Sequence, residues 1–311
     1  MSAAQREVWG RTLVELGARD PRVAVVDGDL ATSTKADLFA DAYPDRFFEI
    51  GIAEQNMVGM AFGLSTMGYH PWLSSFGVFL THRALDPVRM LVSQTGAPVK
   101  IAASYSGLLN GSSGKTHQDI EDFAIMRAMP NMTVIAPADA PEAEAAIRWA
   151  ADYEGPVYLR LARDAVADVF GPGMEFVPGK VHVLREGADA VLVSTGVQTS
   201  RVLAAGELLA ERGIEVRVVH VPSLKPLDEA ALVSAIGGKG QVFTIEEHSI
   251  IGGLGGLVSE VMTGTSLGKT VTRLGLADAW SESAPNDFLL EKYGLSSTRV
   301  AAQVADILGA V

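Results

Sequence analysis

The segment Met132–Leu161 reads MTVIAPADAPEAEAAIRWAADYEGPVYLRL and predicts the fold class. It begins with MTVIA and ends with PVYLRL, two short and mostly apolar runs that are typical of buried strands. Between them, Ala138–Ala151 has apolar residues at helical spacing, and Asp139 and Pro141 are typical of a helix start. A strand, a helix and a second strand in this order indicate a parallel sheet that helices cover on both faces.

The same alternation continues on either side of this segment. Arg22–Val26 (RVAVV) and Val99–Ser104 (VKIAAS) are predicted strands, and Ala53–Met67 is a predicted helix with one apolar stripe. Asp164–Lys180 contains the densest group of Pro and Gly residues, which is typical of a linker. After it, the predicted strands are Ala190–Ser194, Glu215–Val221, Gln241–Glu246 and Thr270–Leu274, and the predicted helices are Thr199–Arg212, Asp228–Ile236 and Leu254–Thr263.

These patterns predict an α/β protein with two doubly wound domains. The first domain covers residues 1–164 and contains a parallel sheet, residues 165–186 form a linker, and residues 187–311 form a smaller α/β domain. A length of 311 residues agrees with two domains of about 100–200 residues each. A hydrophobic fraction of 48% with 20% charged residues is typical of a globular protein with buried cores.

The composition excludes several functional classes. The net charge of −12 disfavours nonspecific nucleic-acid binding, and an anionic substrate would require local arginines. The absence of cysteine excludes disulfides, zinc sites built from cysteine and a thiol nucleophile. No apolar run reaches the roughly 18 residues of a membrane helix, so we expect a soluble, cytoplasmic protein that does not bind membranes.

The first candidate for chemistry is Glu54, which lies in the sequence GIAEQNM at 51–57. As a first-turn acid it could simply complement the dipole of the predicted helix. Its neighbours Phe48, Ile50 and Met57 are apolar, however. We therefore expect a poorly hydrated carboxyl that can share a proton with a ligand nitrogen.

Two further candidates follow predicted strands. His117 ends the polar loop 110–118 (NGSSGKTHQ), and ligands of open α/β sheets bind beyond the carboxyl ends of the strands. We predict that His117 lies at a helix start, although a lone histidine is more often structural or solvated. Phe76 and Phe79 are three residues apart and are predicted to share one helical face, which is ordinarily a sign of core packing.

Six segments in this order resemble the carboxy-terminal half of transketolase: 29–35 (DLATSTK), 51–57 (GIAEQNM), 75–79 (SFGVF), 116–118 (THQ), 130–132 (PNM) and 246–248 (EEH). The resemblance implies a pyrimidine-binding domain followed by a transketolase C-terminal domain. In that family a separate domain binds Mg²⁺ and the phosphates of thiamine diphosphate. The resemblance therefore implies the C-terminal subunit of a split transketolase, which would assemble with an N-terminal subunit as an α2β2 heterotetramer.

The resemblance also implies roles for individual residues. Glu54 matches the glutamate that hydrogen-bonds a ring nitrogen of the cofactor's aminopyrimidine, and His117 matches a histidine that contacts the sugar and could carry a proton. The implied reaction transfers a two-carbon ketol unit from a ketose to an aldose. The implied cofactor contacts are Asp29, Leu30, Glu54, Phe76, Phe79 and His82, and the implied substrate contacts are Arg6, Ser33, Tyr105, Ser113, His117 and Arg163.

Three residues depart from the family's pattern. Tyr105 stands where the family commonly has a histidine, and Ser113 stands where it has an aspartate that contacts a sugar hydroxyl. Lys115 replaces a small residue or proline. Because the changes at Tyr105 and Ser113 lie on the substrate side, we expect a modified or branched sugar.

Two glycine-containing segments and one histidine carry weaker patterns. Asp27-Gly28-Asp29 lacks the Gly-Asp-Gly order of the family's diphosphate and magnesium motif, so we predict no metal site in this chain. The run 252–256 (GGLGG) lacks the spacing of a dinucleotide-binding fingerprint, so we predict a strand-to-helix turn there. His248 is predicted to lie in a turn of the smaller domain.

Three alternatives stay open. The β subunit of a 2-oxoacid or acetoin dehydrogenase shares the pyrimidine-binding domain, but its site loop typically has paired histidines or a His-Ser pair where this chain has Thr116-His117-Gln118. Half of a 1-deoxyxylulose-phosphate synthase is a weaker alternative. In a noncatalytic partner subunit, Glu54 would only complement a helix dipole and the two phenylalanines would only fill a core.

Overall fold

The computed structural model describes residues 3–238 and 240–309, which form twelve strands in two sheets. The strands are β1 Val23–Asp27, β2 Phe47–Glu49, β3 His70–Phe76, β4 Lys100–Ser104, β5 Thr133–Ile135, β6 Val157–Leu161, β7 His182–Arg185, β8 Ala190–Ser194, β9 Val216–His220, β10 Ser223–Lys225, β11 Gln241–Ser249 and β12 Val271–Leu276.

Helices connect most of these strands. The α-helices are α1 Gln5–Arg19, α2 Ala31–Thr34, α3 Asp37–Ala42, α4 Glu54–Thr66, α5 Leu85–Pro87, α6 Asp122–Ala128, α7 Ala140–Asp152, α8 Gln198–Ala210, α9 Glu229–Ile236, α10 Leu254–Thr263, α11 Asn286–Lys292 and α12 Ser297–Leu308. Two π-helical segments, Phe79–Arg83 and Val88–Ser93, flank α5, and Pro44–Arg46 and Gly111–Ser113 form 3₁₀ turns. No helix within the described ranges is long and apolar enough to cross a membrane.

The larger sheet has the strand order β10-β5-β6-β4-β3-β1-β2, and β10 is its antiparallel strand. Strands β1, β4 and β6 are buried along their whole length because helices cover both faces of the sheet. Trp9 and Leu13 of α1 and Ile147 of α7 lie in one core, and Met57 and Val58 of α4 lie in the other. The predicted α/β fold is confirmed.

Helix α7 begins at Ala140, two residues after the start of the predicted helical segment 138–151. The carboxylate of Asp139 accepts a hydrogen bond from the N–H of Glu142 at 2.9 Å, and Pro141 lies in the first turn, where no backbone donor is needed. This cap fixes the turn between β5 and α7 at the sheet edge.

The smaller sheet has the order β12-β11-β8-β9-β7. Each strand and helix predicted between residues 190 and 274 has a counterpart, and α11 and α12 are additional. Strand β7 lies inside the segment predicted as a linker, 165–186, and pairs antiparallel with β9. The smaller sheet therefore starts before residue 187.

One strand from the later part of the chain, β10, belongs to the larger sheet. Strand β10 follows β9 in the chain, yet it pairs with β5 of the larger sheet. The carbonyl of Pro222 accepts from Ala136 at 2.8 Å, and the carbonyl of Ala136 accepts from Gly196 at 3.1 Å. The later part of the chain thus completes an edge of the earlier sheet.

Candidate active site

The parallel strands β1, β3, β4 and β6 end at one edge of the larger sheet, and many of the predicted site residues gather there. Phe76 is the last residue of β3, Tyr105 directly follows β4, and Arg163 follows β6 by two residues. Asp29 and Leu30 lie in the turn after β1. Ligands of open α/β sheets bind at this edge.

Glu54 is the first residue of α4, and only 3% of it is exposed. Its Oε1 lies 2.8 Å from Nη1 of Arg83, whose side chain is half exposed. Beside this pair is an open cleft of about 500 Å³, which Ile52 and Asn56 also line. The Glu54 carboxylate is therefore poorly hydrated, as expected, but it is also paired with a cation. It borders a cleft that is large enough for a small-molecule ligand.

Aromatic side chains form a continuous row next to this ion pair. The Arg83 guanidinium lies over Phe79, with Cζ 4.1 Å from the ring centroid. Phe79 contacts Phe76 at 5.8 Å and the ring of His117 at 5.3 Å between centroids, and Tyr105 stacks on Phe76 at 4.3 Å. The predicted shared helical face of Phe76 and Phe79 is wrong, because Phe76 ends a strand and only Phe79 lies in the helical segment that follows.

A cationic cluster surrounds Tyr105 at the far end of the row. Nη1 of Arg6 donates to the Tyr105 hydroxyl at 2.5 Å and to the carbonyl of Ser33 at 2.9 Å. The guanidinium carbons of Arg6 and Arg163 both lie 5.5 Å from the centroid of the Tyr105 ring. Two guanidinium groups at one side chain form a place where a phosphate or another anion can be held by charge-assisted hydrogen bonds.

Carboxylates close the turn after β1. The N–H of Asp29 donates to Oε1 of Glu49 at 2.9 Å, and the N–H of Leu30 donates to Oδ1 of Asp27 at 2.8 Å. Burial raises the pKa of Asp27 from 3.8 to about 6, because desolvation disfavours the charged carboxylate. Asp29 and Leu30 therefore lie on a turn that hydrogen bonds hold at the sheet edge.

His117 and Ser113 lie in the loop after β4. The prediction that His117 starts a helix is wrong, because the next helix, α6, begins at Asp122. Nδ1 of His117 lies 2.8 Å from the hydroxyl of Thr116. Ser113 is exposed, and its hydroxyl donates to Oδ1 of Asn110 at 3.0 Å within the same loop. The loop thus brings His117 to the aromatic row, whereas the hydroxyl of Ser113 is bonded locally.

His82 lies in the π-helical segment beside two acidic residues. Its Nε2 is 3.9 Å from Oε1 of Glu121, and the ligand atoms of His82, Asp119 and Glu121 lie within 4.8 Å of one another. Burial and the neighbouring Asp122 raise the pKa of Asp119 well above its usual range. Cation binding here would require the charged form of Asp119, which burial disfavours.

Buried charges connect the two sheets behind the site. Nε of Arg160 lies 2.9 Å from Oδ2 of Asp122, and Nη2 donates to the carbonyl of Glu247 at 2.9 Å. The ring of His248 stacks on Phe123 with centroids 5.1 Å apart. The prediction that His248 lies in a turn is wrong, because β11 continues past it and the side chain is fully buried.

Comparison with known families matches both parts of the fold. Residues 1–168 match the family model "Transketolase, pyrimidine binding domain", and residues 179–300 match "Transketolase, C-terminal domain". The chain belongs to the transketolase family. The first of these two matches contains every residue that the sequence analysis assigned to the site.

Several members of this family resemble the chain over almost its full length. A putative transketolase C-terminal section from Methanocaldococcus jannaschii is 42% identical over 97% of this chain and 95% of its own. A 6-deoxy-6-sulfo-D-fructose transketolase subunit from Clostridium sp. is 35% identical over 97% and 94%. A solved structure described as a split-gene transketolase, an inactive β4 tetramer, is 44% identical with a TM-score of 0.88 and covers 100% of this chain and 99% of that one.

Three residues at or directly behind this candidate site were missed from the sequence. Arg83 lies four residues after Phe79, and this helical spacing could have indicated that the two side chains are in contact. Asp27 directly follows a fully apolar strand core, which indicates burial of its carboxyl. Arg160 has no comparable signal, because its partners come from distant parts of the chain.

Proposed function

We propose that this chain is the C-terminal subunit of a split, thiamine diphosphate-dependent transketolase that transfers a two-carbon ketol unit from a ketose to an aldose. The observation that carries the proposal is one continuous row of side chains. Neighbouring side chains contact each other in this row in the order Glu54, Arg83, Phe79, Phe76, Tyr105 and Arg6. A flat heterocycle fits one end of this row, and an anionic sugar fits the other.

The residues present fit the pyrimidine part of the cofactor. Glu54 offers a buried acceptor at the side of an open cleft, and the Phe79 ring face lies next to it. Asp29, Leu30 and His82 are proposed to line the same part of the site. When bound, thiamine diphosphate would supply the carbon nucleophile for the ketose carbonyl. We assign its phosphates and Mg²⁺ to an N-terminal partner subunit, in an α2β2 assembly.

The chain's own residues then have separate tasks. Glu54 holds a proton at the ring nitrogen of the pyrimidine, and the low solvent exposure of Glu54 keeps water from competing for it. His117, at the edge of the aromatic row, moves a proton to or from the sugar oxygens near the reacting carbons. Arg6 and Arg163, with Ser33, hold the anionic end of the sugar.

A glutamine at position 54 tests the proposal. In the assembled two-subunit enzyme we expect Glu54→Gln to lower kcat at least about 100-fold, because an amide cannot hold the required proton. The matched control is Glu7→Gln, which changes an exposed first-turn glutamate of α1. Equal activity of both variants, with unchanged thermal unfolding, would support a noncatalytic subunit in which Glu54 only complements a helix dipole.

We further propose that the substrate is a modified or branched sugar. Tyr105 contacts both Arg6 and Arg163, and the hydroxyl of Ser113 is bonded within its own loop. The contacts to the sugar would therefore differ from the family's usual pattern. The name of the Clostridium relative, a sulfofructose transketolase subunit, agrees with a changed anionic end.

Steady-state kinetics with alternative donors tests this second proposal. We expect kcat/KM to be lower for xylulose 5-phosphate with ribose 5-phosphate than for a sulfonated or branched ketose donor. Full efficiency with the two ordinary sugar phosphates would contradict an altered substrate. Decarboxylation of pyruvate without ketol transfer would instead favour the β subunit of a 2-oxoacid dehydrogenase. If this decarboxylation requires an aldehyde acceptor, it would favour half of a 1-deoxyxylulose-phosphate synthase.

A further inference from the structure

Arg83 makes two contacts that no role assigned above explains. Its Nη1 donates to Oε1 of Glu54 at 2.8 Å, and its Cζ lies 4.1 Å from the centroid of the Phe79 ring. A guanidinium is planar, carries several N–H donors and stacks on aromatic faces. Arg83 thus presents a flat hydrogen-bond donor to Glu54 while it covers one face of Phe79.

An aminopyrimidine would make the same two contacts. The proposed function assigns to the cofactor's ring a hydrogen bond with Glu54 and a stacking contact with Phe79. Two planar groups cannot occupy one place against the same carboxylate and the same ring face. Resting on that proposed function, we infer that Arg83 occupies the place of the pyrimidine ring in the unloaded subunit and must leave it when the cofactor binds.

The surroundings allow Arg83 to leave. Glu54 is 3% exposed, whereas the Arg83 side chain is 51% exposed and borders the cleft of about 500 Å³. We therefore expect the buried Glu54 to stay in place and the solvated guanidinium of Arg83 to move, because it lies at the end of a long flexible side chain. The arrangement also keeps the carboxylate of Glu54 paired when no ligand is present, which avoids a buried charge without a partner.

This exchange makes Arg83 a determinant of cofactor affinity. The cofactor must displace one ion pair whose cation is half solvated and one cation–π contact, both of which are weak when exposed. Removal of the guanidinium should therefore tighten binding of thiamine diphosphate by about three- to tenfold. A residue with a merely structural role would leave the affinity unchanged or reduce it.

The inference is tested on the full chain assembled with its partner subunit. This complex is titrated with thiamine diphosphate in the presence of Mg²⁺. Calorimetry gives the dissociation constant for the natural chain, Arg83→Ala and Arg83→Lys. We expect the constant to fall about three- to tenfold in Arg83→Ala and less in Arg83→Lys, because lysine keeps the charge but not the planar stacking. Arg89→Ala, which removes an exposed arginine six residues further along the chain, is the control and should not change the constant.

A third variant separates this inference from the proposed function. Glu54→Gln should weaken binding in both the natural and the Arg83→Ala background. If binding depends on Glu54 but Arg83→Ala binds equally or more weakly than the natural chain, the inference about Arg83 is wrong and the proposed function stands. If the natural chain and Arg83→Ala bind no thiamine diphosphate at millimolar concentration, both are wrong.

Discussion

Buried carboxyls at the sheet edge differ in how their charge is compensated. Glu54 pairs with Arg83, whereas Asp27 accepts a hydrogen bond from the N–H of Leu30 and lies near the like-charged Glu49. Burial therefore dominates at Asp27 and raises its pKa from 3.8 to about 6. The folded chain then binds this proton more tightly than the unfolded chain. The stabilisation from Asp27 is complete below about pH 3.8 and is lost as the pH rises through 6.

The pH dependence of stability can be tested with Asp27→Asn. Asparagine keeps the acceptor for Leu30 but does not ionise, so the variant should gain stability relative to the natural chain as the pH rises from 4 to 7. The change over this range should reach up to roughly 3 kcal/mol. Urea unfolding at pH 4, 5, 6 and 7 measures it, with the exposed Asp29→Asn as control. A constant difference at all four pH values would show that Asp27 does not titrate in this window.

Elements from distant parts of the chain meet at one buried ion pair. Arg160 lies in β6, Asp122 begins α6, and the carbonyl that accepts from Arg160 belongs to β11 of the smaller sheet. The Arg160 guanidinium also lies over Phe123, with Cζ 4.2 Å from the ring centroid. Removal of one partner from a buried pair leaves the other charge uncompensated, which costs more than the pair itself contributes.

We therefore expect Arg160→Met to lower the free energy of unfolding by roughly 3–5 kcal/mol. Asp122→Asn added to this variant should restore part of the loss, because it removes the stranded carboxylate. Urea unfolding of the natural chain, the two single variants and the double variant gives the coupling energy. Strictly additive losses would mean that Arg160 and Asp122 act independently of each other.

The whole molecule is held together by more than a linker. Strand β10 completes the edge of the larger sheet, so a cut in the predicted linker removes a strand from the earlier unit. The remaining edge at β5 would expose unpaired N–H and C=O groups. The larger sheet therefore contains strands from both predicted domains, 1–164 and 187–311.

We expect a fragment of residues 1–186 to aggregate or to unfold without a sharp transition. Co-expression with residues 187–311 should restore a cooperative transition, because β10 is then available to pair with β5. Size-exclusion chromatography and thermal unfolding of the fragment, of the co-expressed pair and of the intact chain measure this. A monodisperse fragment that unfolds as sharply as the intact chain would support independent domains.

Sequence alone determined the features that depend on local pattern. Strand β8 and helix α10 have the predicted bounds, and α7 begins at its Asp139 cap, because burial on both faces and capping leave a signal within a few residues. Strand β3 was missed because Ser74 and Ser75 interrupt its apolar run. These serines are buried in the folded chain, and the hydroxyl of Ser74 lies 2.9 Å from that of Thr34.

Only the tertiary structure decided which residues meet. The sequence pointed to Glu54, Phe79 and Arg6 separately, but the row that joins them exists because parallel strands end at one edge of a sheet. The pairing of Arg83 with Glu54 and the pairing of β10 with β5 also join residues that are far apart in the chain. Contacts of this kind depend on packing in three dimensions, which leaves no periodic signal in a single sequence.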